Sequence, residues 1–399
     1  MNTAVFTGID WVGYVDWNVR DFHGYDTPRG STYNAYLLQD EHTALVDTVK
    51  APHAERLLAN VSGLTDLDSI EYVICNHAEP DHASGLGRVM QACPRAKVVC
   101  TEKCRATLSG YQDTSAWQFH IVGTGDSLSL GARSLAFLST PMVHWPESMM
   151  TYCPEEKLLF SQDGFGQHYA STGRFDDQEP LETVMWEAKT YYANIIMWAG
   201  KPIGKALEAA SQLDIDVIAP AHGVIWRSHP STIIQAYKDW ILCKAQPKVL
   251  VVYDSMWDST GRMAEAILEG AGQEGVSAKL LSIRNSSITL LATEVLDAAA
   301  IAFGSPTLNS TLMPQMAAVL TYLKGLRPAG KAGFAFGSYG WMPGGPVAVD
   351  EYIKQMKFEL LREPLTTQWK PTEQVLQECR EAGEILAERA LKAGCAQDT

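Results

Sequence analysis

His77-Ala78-Glu79-Pro80-Asp81-His82 follows directly on the apolar run Tyr72-Val73-Ile74-Cys75. Four side chains able to bind metal fall within six residues at the end of a predicted strand. The mixture is informative. Imidazole suits zinc, iron and copper, whereas carboxylate oxygen favours harder ions. Two His, one Glu and one Asp in so short a span fit a two-metal centre better than a single tetrahedral zinc.

Three further apolar runs end in a residue of the same kind. Leu135-Ala136-Phe137-Leu138 leads on to His144, Leu158-Leu159-Phe160 to Asp163, and Val217-Ile218-Ala219-Pro220 to His222-Gly223. Strand ends on one edge of a sheet converge, so the four runs are expected to share a site. A single His after a strand is usually a satisfied core or surface residue. The joint order His77, Glu79, Asp81, His82, then His144, Asp163 and His222, is much rarer by chance.

Around these runs the first half of the chain reads as short strands with helices interspersed. Strands are expected at 35–38, 43–46, 97–100, 134–138 and 157–160. Helices are expected at 181–198 and 203–213. This alternation points to a layered sandwich. The style changes near Ala245-Gln246-Pro247-Lys248, where a regular strand–helix alternation begins. Strands are expected at 249–253, 278–283, 298–303 and 331–336, and helices at 261–273, 314–324 and 371–392. Such βαβ units build a doubly wound parallel sheet. We place the boundary at residues 246/247.

Three loops of the second half follow strands and carry the residues of a phosphate and ring site. The first is Ser255-Met256-Trp257-Asp258-Ser259-Thr260, a hydroxyl-rich turn opening a helix. It offers backbone N–H and side-chain O–H groups to a phosphate. It has no Walker lysine and no Gly-x-Gly-x-x-Gly, which disfavours a nucleotide triphosphate and a dinucleotide. The second is Pro306-Thr307-Leu308-Asn309 and the third Ser338-Tyr339-Gly340-Trp341. A monophosphate with a flat ring, FMN, is the natural ligand. Trp257, Tyr339 and Trp341 are candidates to flank it.

Composition bounds the remaining classes. The 399 residues suffice for two or three domains. A net charge of −14 disfavours nucleic acid and anionic membranes as partners. No apolar run reaches membrane-spanning length, and the first 22 residues lack the pattern of a signal peptide. The eight cysteines include no Cys-x-x-Cys pair, so no rubredoxin-like or zinc-ribbon module is expected within these residues. Scattered free thiols fit a reducing cytoplasm.

The order His-x-Glu-x-Asp-His, His, Asp, His-Gly resembles the metallo-β-lactamase fold, whose hydrolases carry a second His where this chain has Glu79. With a flavodoxin-like second half, the chain resembles the flavodiiron proteins over nearly its whole length. His144-Trp145-Pro146 and His222-Gly223-Val224-Ile225-Trp226-Arg227 add to the likeness. The resemblance implies an αββα sandwich in residues 1–246 and an FMN-binding flavodoxin domain in 247–399. It implies one iron held by His77, Glu79 and His144, another by Asp81, His222 and His82, and Asp163 bridging them. In some family members water replaces the residue at the position of His82. The implied activity is reduction of O2 to water, or of NO to N2O, with electrons passing from rubredoxin through FMN to the diiron site. A head-to-tail homodimer, or a dimer of such dimers, is the implied assembly.

Two alternatives come from other classes: a dizinc hydrolase with a fused flavodoxin domain, and a non-enzymatic electron carrier. Glu79 argues against the first and the intact ligand set against the second. Four more residues were weighed. His23, in Phe22-His23-Gly24-Tyr25, is as readily structural as functional. His168 is a candidate neighbour of the ligands. Tyr191 and Tyr192 lie on a predicted helix; one of them is a candidate to approach the metals, with core packing the favoured reading.

Overall fold

The computed structural model describes residues 3–395. The chain divides into two compact units, Met1–Lys238 and Asp239–Thr399.

The first unit holds two stacked sheets. One has seven strands, in the order Thr3–Phe6, Ile9–Trp11, Tyr36–Leu38, Thr43–Val46, Ile70–Ile74, Lys97–Cys100 and Gln118–Ile121. The other has five, in the order Ser127–Ser129, Ser134–Ser139, Met149–Cys153, Leu158–Gln162 and Val217–Pro220. Strand side chains alternate in direction, and the first sheet is buried on both faces. Leu37, Leu45, Val73 and Val98 pack with Leu57, Val61, Leu86 and Val89 of the helices Ala54–Ser62 and Leu86–Ala92. Their neighbours Tyr36, Val46, Ile74 and Val99 face Phe137, Met149, Phe160 and Ala219 of the second sheet. The expectation of one converging sheet edge therefore needs correction. The run leading to His77 belongs to the seven-stranded sheet and the other three to the five-stranded sheet. Ligand-type residues are contributed from both layers.

The segment 181–198 is not one continuous helix. It runs as an α-helix over Leu181–Tyr191, a π-turn over Tyr192–Ile196 and a 3-10 turn over Met197–Ala199. Hydrophobic periodicity does not register such a change in winding, because the residues remain buried throughout Tyr192–Ile196.

In the second unit all the strands pair in parallel. The order is Ser277–Ser282, Lys248–Tyr253, Ala300–Gly304, Ala332–Tyr339, with Glu359–Leu360 and Leu365–Gln368 both pairing with the last of these. The helices Ser259–Ala271 and Glu373–Cys395 pack together on one face. Their contact depends on two glycines. A Cβ at Gly270 would lie 1.8 Å from the Arg380 carbonyl oxygen, and one at Gly383 would lie 2.0 Å from that of Ile267. The structure adds the helices Ile288–Asp297 and Gly344–Gln355 and the strand Leu365–Gln368 to the elements read from sequence.

Candidate metal and flavin sites

His77 leaves its strand through an interlock between the two sheets. The Asn76 backbone N–H donates to Asp47 Oδ1 at 2.9 Å, and its side-chain amide donates to Asp47 Oδ2 at 2.9 Å. Thr151 Oγ1 donates to Asn76 Oδ1 at 2.7 Å, and the Met149 N–H to the Asn76 carbonyl at 2.9 Å. All these groups are buried, so they are fixed by bonds that water cannot replace. Glu79 precedes Pro80, which holds it extended at φ −60°, ψ 140° and opens the short helix Pro80–Ala83. That helix carries Asp81 and His82.

The donor atoms form two adjacent groups. Those of His77, Glu79, His144 and Asp163 all lie within 4.8 Å of one another, and so do those of Asp81, His82 and His222. Asp163 faces both groups. Its Oδ2 lies 3.3 Å from His77 Nε2 and 3.2 Å from His144 Nε2. Its Oδ1 lies 3.0 Å from His82 Nε2 and 3.6 Å from His222 Nε2. Glu79 Oε2 adds 3.1 Å to His77 and 3.0 Å to His144, and Asp81 Oδ2 adds 3.0 Å to His222. Seven residues separated by up to 145 positions in sequence thus converge. The His82 ring turns toward the cluster.

Two of the imidazoles have their tautomer set from behind. His77 Nδ1 pairs with Glu147 Oε1 at 2.8 Å, and His222 Nδ1–H donates to the Thr32 carbonyl at 2.5 Å. Each leaves Nε2 facing the cluster, which is how metal-bound His is ordinarily supported. Gly223, at φ +81°, lets the chain turn directly after His222; a Cβ there would lie 2.1 Å from Gln167 Oε1.

The electrostatics show what is being held. Burial disfavours the charged forms of His77, Glu79, Asp81, His82, His144 and Asp163, yet their mutual fields win. Burial opposes ionisation of Glu79, but the His144 and His77 rings hold its carboxyl well below the usual range. Asp163 is lowered in the same way by His82 and His144. Burial likewise opposes protonation of His144, but Asp163 and Glu79 push it up to about 10. So dense a buried set of carboxylates requires cations. Asp81 Oδ1, His82 Nε2 and Asp163 Oδ2 are buried without a hydrogen-bond partner. His82 Nε2 is close to Asp163 Oδ1 but off the line that a hydrogen bond needs. Donors that approach a common point without bonding one another fit metal ions between them. Three carboxylates offset most of the charge of two divalent ions, and the mixture of four imidazoles with three carboxylates fits a site for iron.

Four further residues adjoin or approach the donors. Tyr191 is buried, as the core reading expected, but its hydroxyl donates to Asp163 Oδ1 at 2.7 Å, so packing alone does not describe it. Glu147 escaped the sequence reading, because a carboxylate behind a ligand follows no fixed spacing. His23 Nε2 lies 3.3 Å from Glu79 Oε1, with its side chain 55% exposed. His168 joins no metal group. Its Nδ1 pairs with Ser31 Oγ at 2.9 Å, and burial beside His222 pulls its pKa down to about 3, so the ring is neutral.

In the second unit a pocket of about 590 Å³ opens at the carboxyl ends of the strands. Of the residues singled out in sequence, Met256, Trp257, Ser259, Pro306, Thr307, Leu308, Asn309, Ser338, Tyr339, Gly340 and Trp341 line it. Ser255, Asp258 and Thr260 do not. Thr260 is buried, its hydroxyl bonded to that of Ser338 at 2.9 Å. Ser255 Oγ lies 3.4 Å from the Gly261 N–H, and Asp258 adopts φ +67° at the start of the helix. Thr260 and Ser255 brace the loop through these contacts, and Asp258 is exposed. Ser310, Met342, Trp369 and Lys370 complete the lining and were not foreseen. Trp257, Trp341 and Trp369 are 90%, 82% and 61% exposed. Trp341 and Trp369 stand 6.5 Å apart at 55°. Three bare indoles beside a hydroxyl-lined pocket at a helix N-terminus suit a flat aromatic ligand with a phosphate tail.

Comparison with known proteins agrees with both halves. Residues 32–223 match the family model described as ODP family beta lactamase, and residues 251–383 match that of flavodoxin. The class is therefore a metallo-β-lactamase-like αββα sandwich followed by a flavodoxin-like doubly wound parallel sheet. The nitric oxide reductase of Moorella thermoacetica is 44% identical over 391 residues, covering 97% of this chain and 98% of the relative. The crystal structure of the flavodiiron protein from Giardia intestinalis superposes with a TM-score of 0.95 at 41% identity, covering 100% of this chain and 98% of that one. The rubredoxin oxygen:oxidoreductase of Desulfovibrio gigas gives 0.95 at 37% identity, covering 99% and 100%. The chain belongs to the flavodiiron protein family.

Proposed function

We propose that this protein is an oxidoreductase that reduces O2 to water, with NO reduction to N2O as a second activity of the same centre. His77, Glu79 and His144 would hold one iron and Asp81, His82 and His222 the other, with Asp163 facing both groups. The observation that carries this reading is the division of Asp163, whose Oδ2 faces the first group and Oδ1 the second. The first 246 residues would hold the iron and residues 247–399 the FMN, with Ser259, Thr307, Ser338 and the exposed tryptophans lining the pocket that would receive it. Two ferrous ions and a reduced flavin supply four electrons between them, the number that converts O2 to two waters.

The chain's own residues set the conditions. Glu147 and Thr32 fix His77 and His222 with Nε2 forward. Tyr191 holds Asp163 and places a hydroxyl at the centre. Glu79 and His144, each with 12% of its side chain exposed, mark the open side, while His77, Asp81, His82, Asp163 and His222 are closed off from water. A small gas can therefore enter where bulk water is sparse. The NO reading draws support from the similarity to the Moorella nitric oxide reductase, and the O2 reading from that to the Desulfovibrio enzyme.

Rubredoxin or a similar small protein is the electron donor. The working form is a head-to-tail homodimer or a dimer of dimers. The compartment is the cytoplasm, a reading supported by the seven free cysteines, all buried, among the described residues. Anaerobic kinetics with each gas, using reduced rubredoxin and iron- and FMN-loaded protein, test the assignment. Turnover of O2 or NO that vanishes on removing either cofactor is expected. Zinc retained in place of iron, with hydrolytic turnover, would sink it.

A further inference from the structure

We propose that Gln162 is a positioning residue of the metal centre: its side-chain amide ties the segment carrying His144 to Asp163 and so fixes the spacing of the His77, Glu79 and His144 group. The proposal rests on the reading of these residues as iron ligands.

Three observations carry it. First, Gln162 bonds to the neighbours of three donors. It is buried and ends the strand Leu158–Gln162. Its Nε2 donates to the Val143 carbonyl, in the peptide that leads into His144, at 2.5 Å. Its Oε1 accepts from the Asp163 N–H at 2.6 Å. Its backbone carbonyl accepts from the N–H of Ala221, next to His222, at 2.8 Å. A carboxamide can donate to a carbonyl and accept from an N–H at once without carrying charge. Second, His144 needs such a hold. His77 and His222 are fixed through their rings by Glu147 and the Thr32 carbonyl. Among the described residues no hydrogen bond reaches His144 Nδ1, and its Nε2 faces Glu79 and Asp163. The backbone must therefore aim this ring. The Met142 N–H donates to the Trp145 carbonyl at 2.7 Å and the Val143 N–H to that of Thr140 at 3.0 Å, which close the turn on itself. The bond from Gln162 anchors the turn to the strand that leads to Asp163. Third, Gln162 adopts φ +48°, the left-handed region that non-glycine residues seldom occupy. The pairing of its strand with Val217–Pro220 shifts register between Phe160 and Gln162. Such backbone re-aims a side chain, and it clusters at functional sites where surrounding contacts fix it.

The contacts divide unequally between the two donor groups. The Gln162 side chain serves His144, which belongs to the first group, and Asp163, which faces both. On the second side Asp163 keeps the Tyr191 hydroxyl on its Oδ1. His222 is tied through the Gln162 backbone, which a substitution leaves in place. Loss of the amide should therefore loosen the group of His77, Glu79 and His144 and spare that of Asp81, His82 and His222. A residue that only filled space in the core would weaken both alike.

Titration of FMN-loaded, iron-free protein with ferrous iron tests this. The wild type should take up two ions, one for each donor group. Gln162→Met keeps the length of the side chain and removes both of its bonds. In it one ion should bind about 10–100-fold more weakly and the other within a few-fold of wild type. Diffraction on both sides of the iron absorption edge, from variant crystals holding one equivalent, should show the peak beside Asp81, His82 and His222. Gln162→Asn tolerates a left-handed φ but is too short to keep both bonds at their present lengths. Its loss should fall between wild type and Gln162→Met, with the same preference for the first group, and it decides should Gln162→Met not fold. Wild-type affinity for both ions overturns the proposal. So does equal weakening of the two, or a remaining peak beside His77, Glu79 and His144. Failure of the diiron reading is distinct, because the wild type itself would then not take up two ferrous ions.

Discussion

In the first unit seven donor side chains gather largely out of water, and His77, His222 and Asp163 are held from behind by Glu147, the Thr32 carbonyl and Tyr191. In the second, the pocket is rimmed by three largely bare indoles on loops. Each arrangement follows from what is to be held. Metal ions bind through charge and donor placement, so donors must be positioned before the ion arrives. Asn76 clamped by Asp47 and Thr151, and His77 backed by Glu147, provide that. A flavin binds through its faces and its phosphate and must keep an edge available for electron exchange, so exposed rings and backbone amides suffice. Precision lies in interlocked strand ends in one unit and in loop composition in the other.

The sharpest way to break this contrast is at Asp163. Asp163→Asn removes the charge shared by both groups, so iron content and turnover should fall at least about 100-fold while FMN content is unchanged; metal and flavin analysis of the same sample would show it. Loss of both cofactors together would mean that the sites are not independent. Glu147→Gln acts one step further out. It should weaken metal affinity about 10–100-fold through the His77 ring alone, and again leave FMN in place. Equilibrium titration with ferrous iron reads the effect. The smallest change is expected on the flavin side. Trp369→Ala removes one of three indoles, and aromatic contacts contribute about 0.5–1.5 kcal/mol beyond their buried area. FMN should therefore bind several-fold more weakly, up to about tenfold, by fluorescence quenching, with iron content at the wild-type level. A change as large as that at Asp163 would erase the distinction between a precise site and an adaptable one.

The same contrast governs how much was legible in the sequence. His77 to His82 is compact because one strand end and one short helix supply four donors, and Pro80 marks the helix start. His144, Asp163 and His222 were visible because each follows a strand. Their convergence from two sheets was not, since a strand's apolar run does not say which layer it joins. Glu147 and Tyr191 were missed or underrated because supporting contacts depend on three-dimensional neighbours and not on spacing. In the second unit the loops after three strands were readable from hydroxyl and aromatic content. Trp369 was not, because it follows the strand Leu365–Gln368, whose sequence Leu-Thr-Thr-Gln carries little apolar signal.

The central claim is that two irons lie between the two donor groups with Asp163 shared. Diffraction from crystals of the iron-loaded protein, recorded on both sides of the iron absorption edge, tests it directly. The account predicts two iron peaks about 3.5–4 Å apart, one beside His77, Glu79 and His144 and one beside Asp81, His82 and His222, with an Asp163 oxygen on each. A single peak, a zinc signal in place of iron, or Asp163 bound to one ion alone would contradict it.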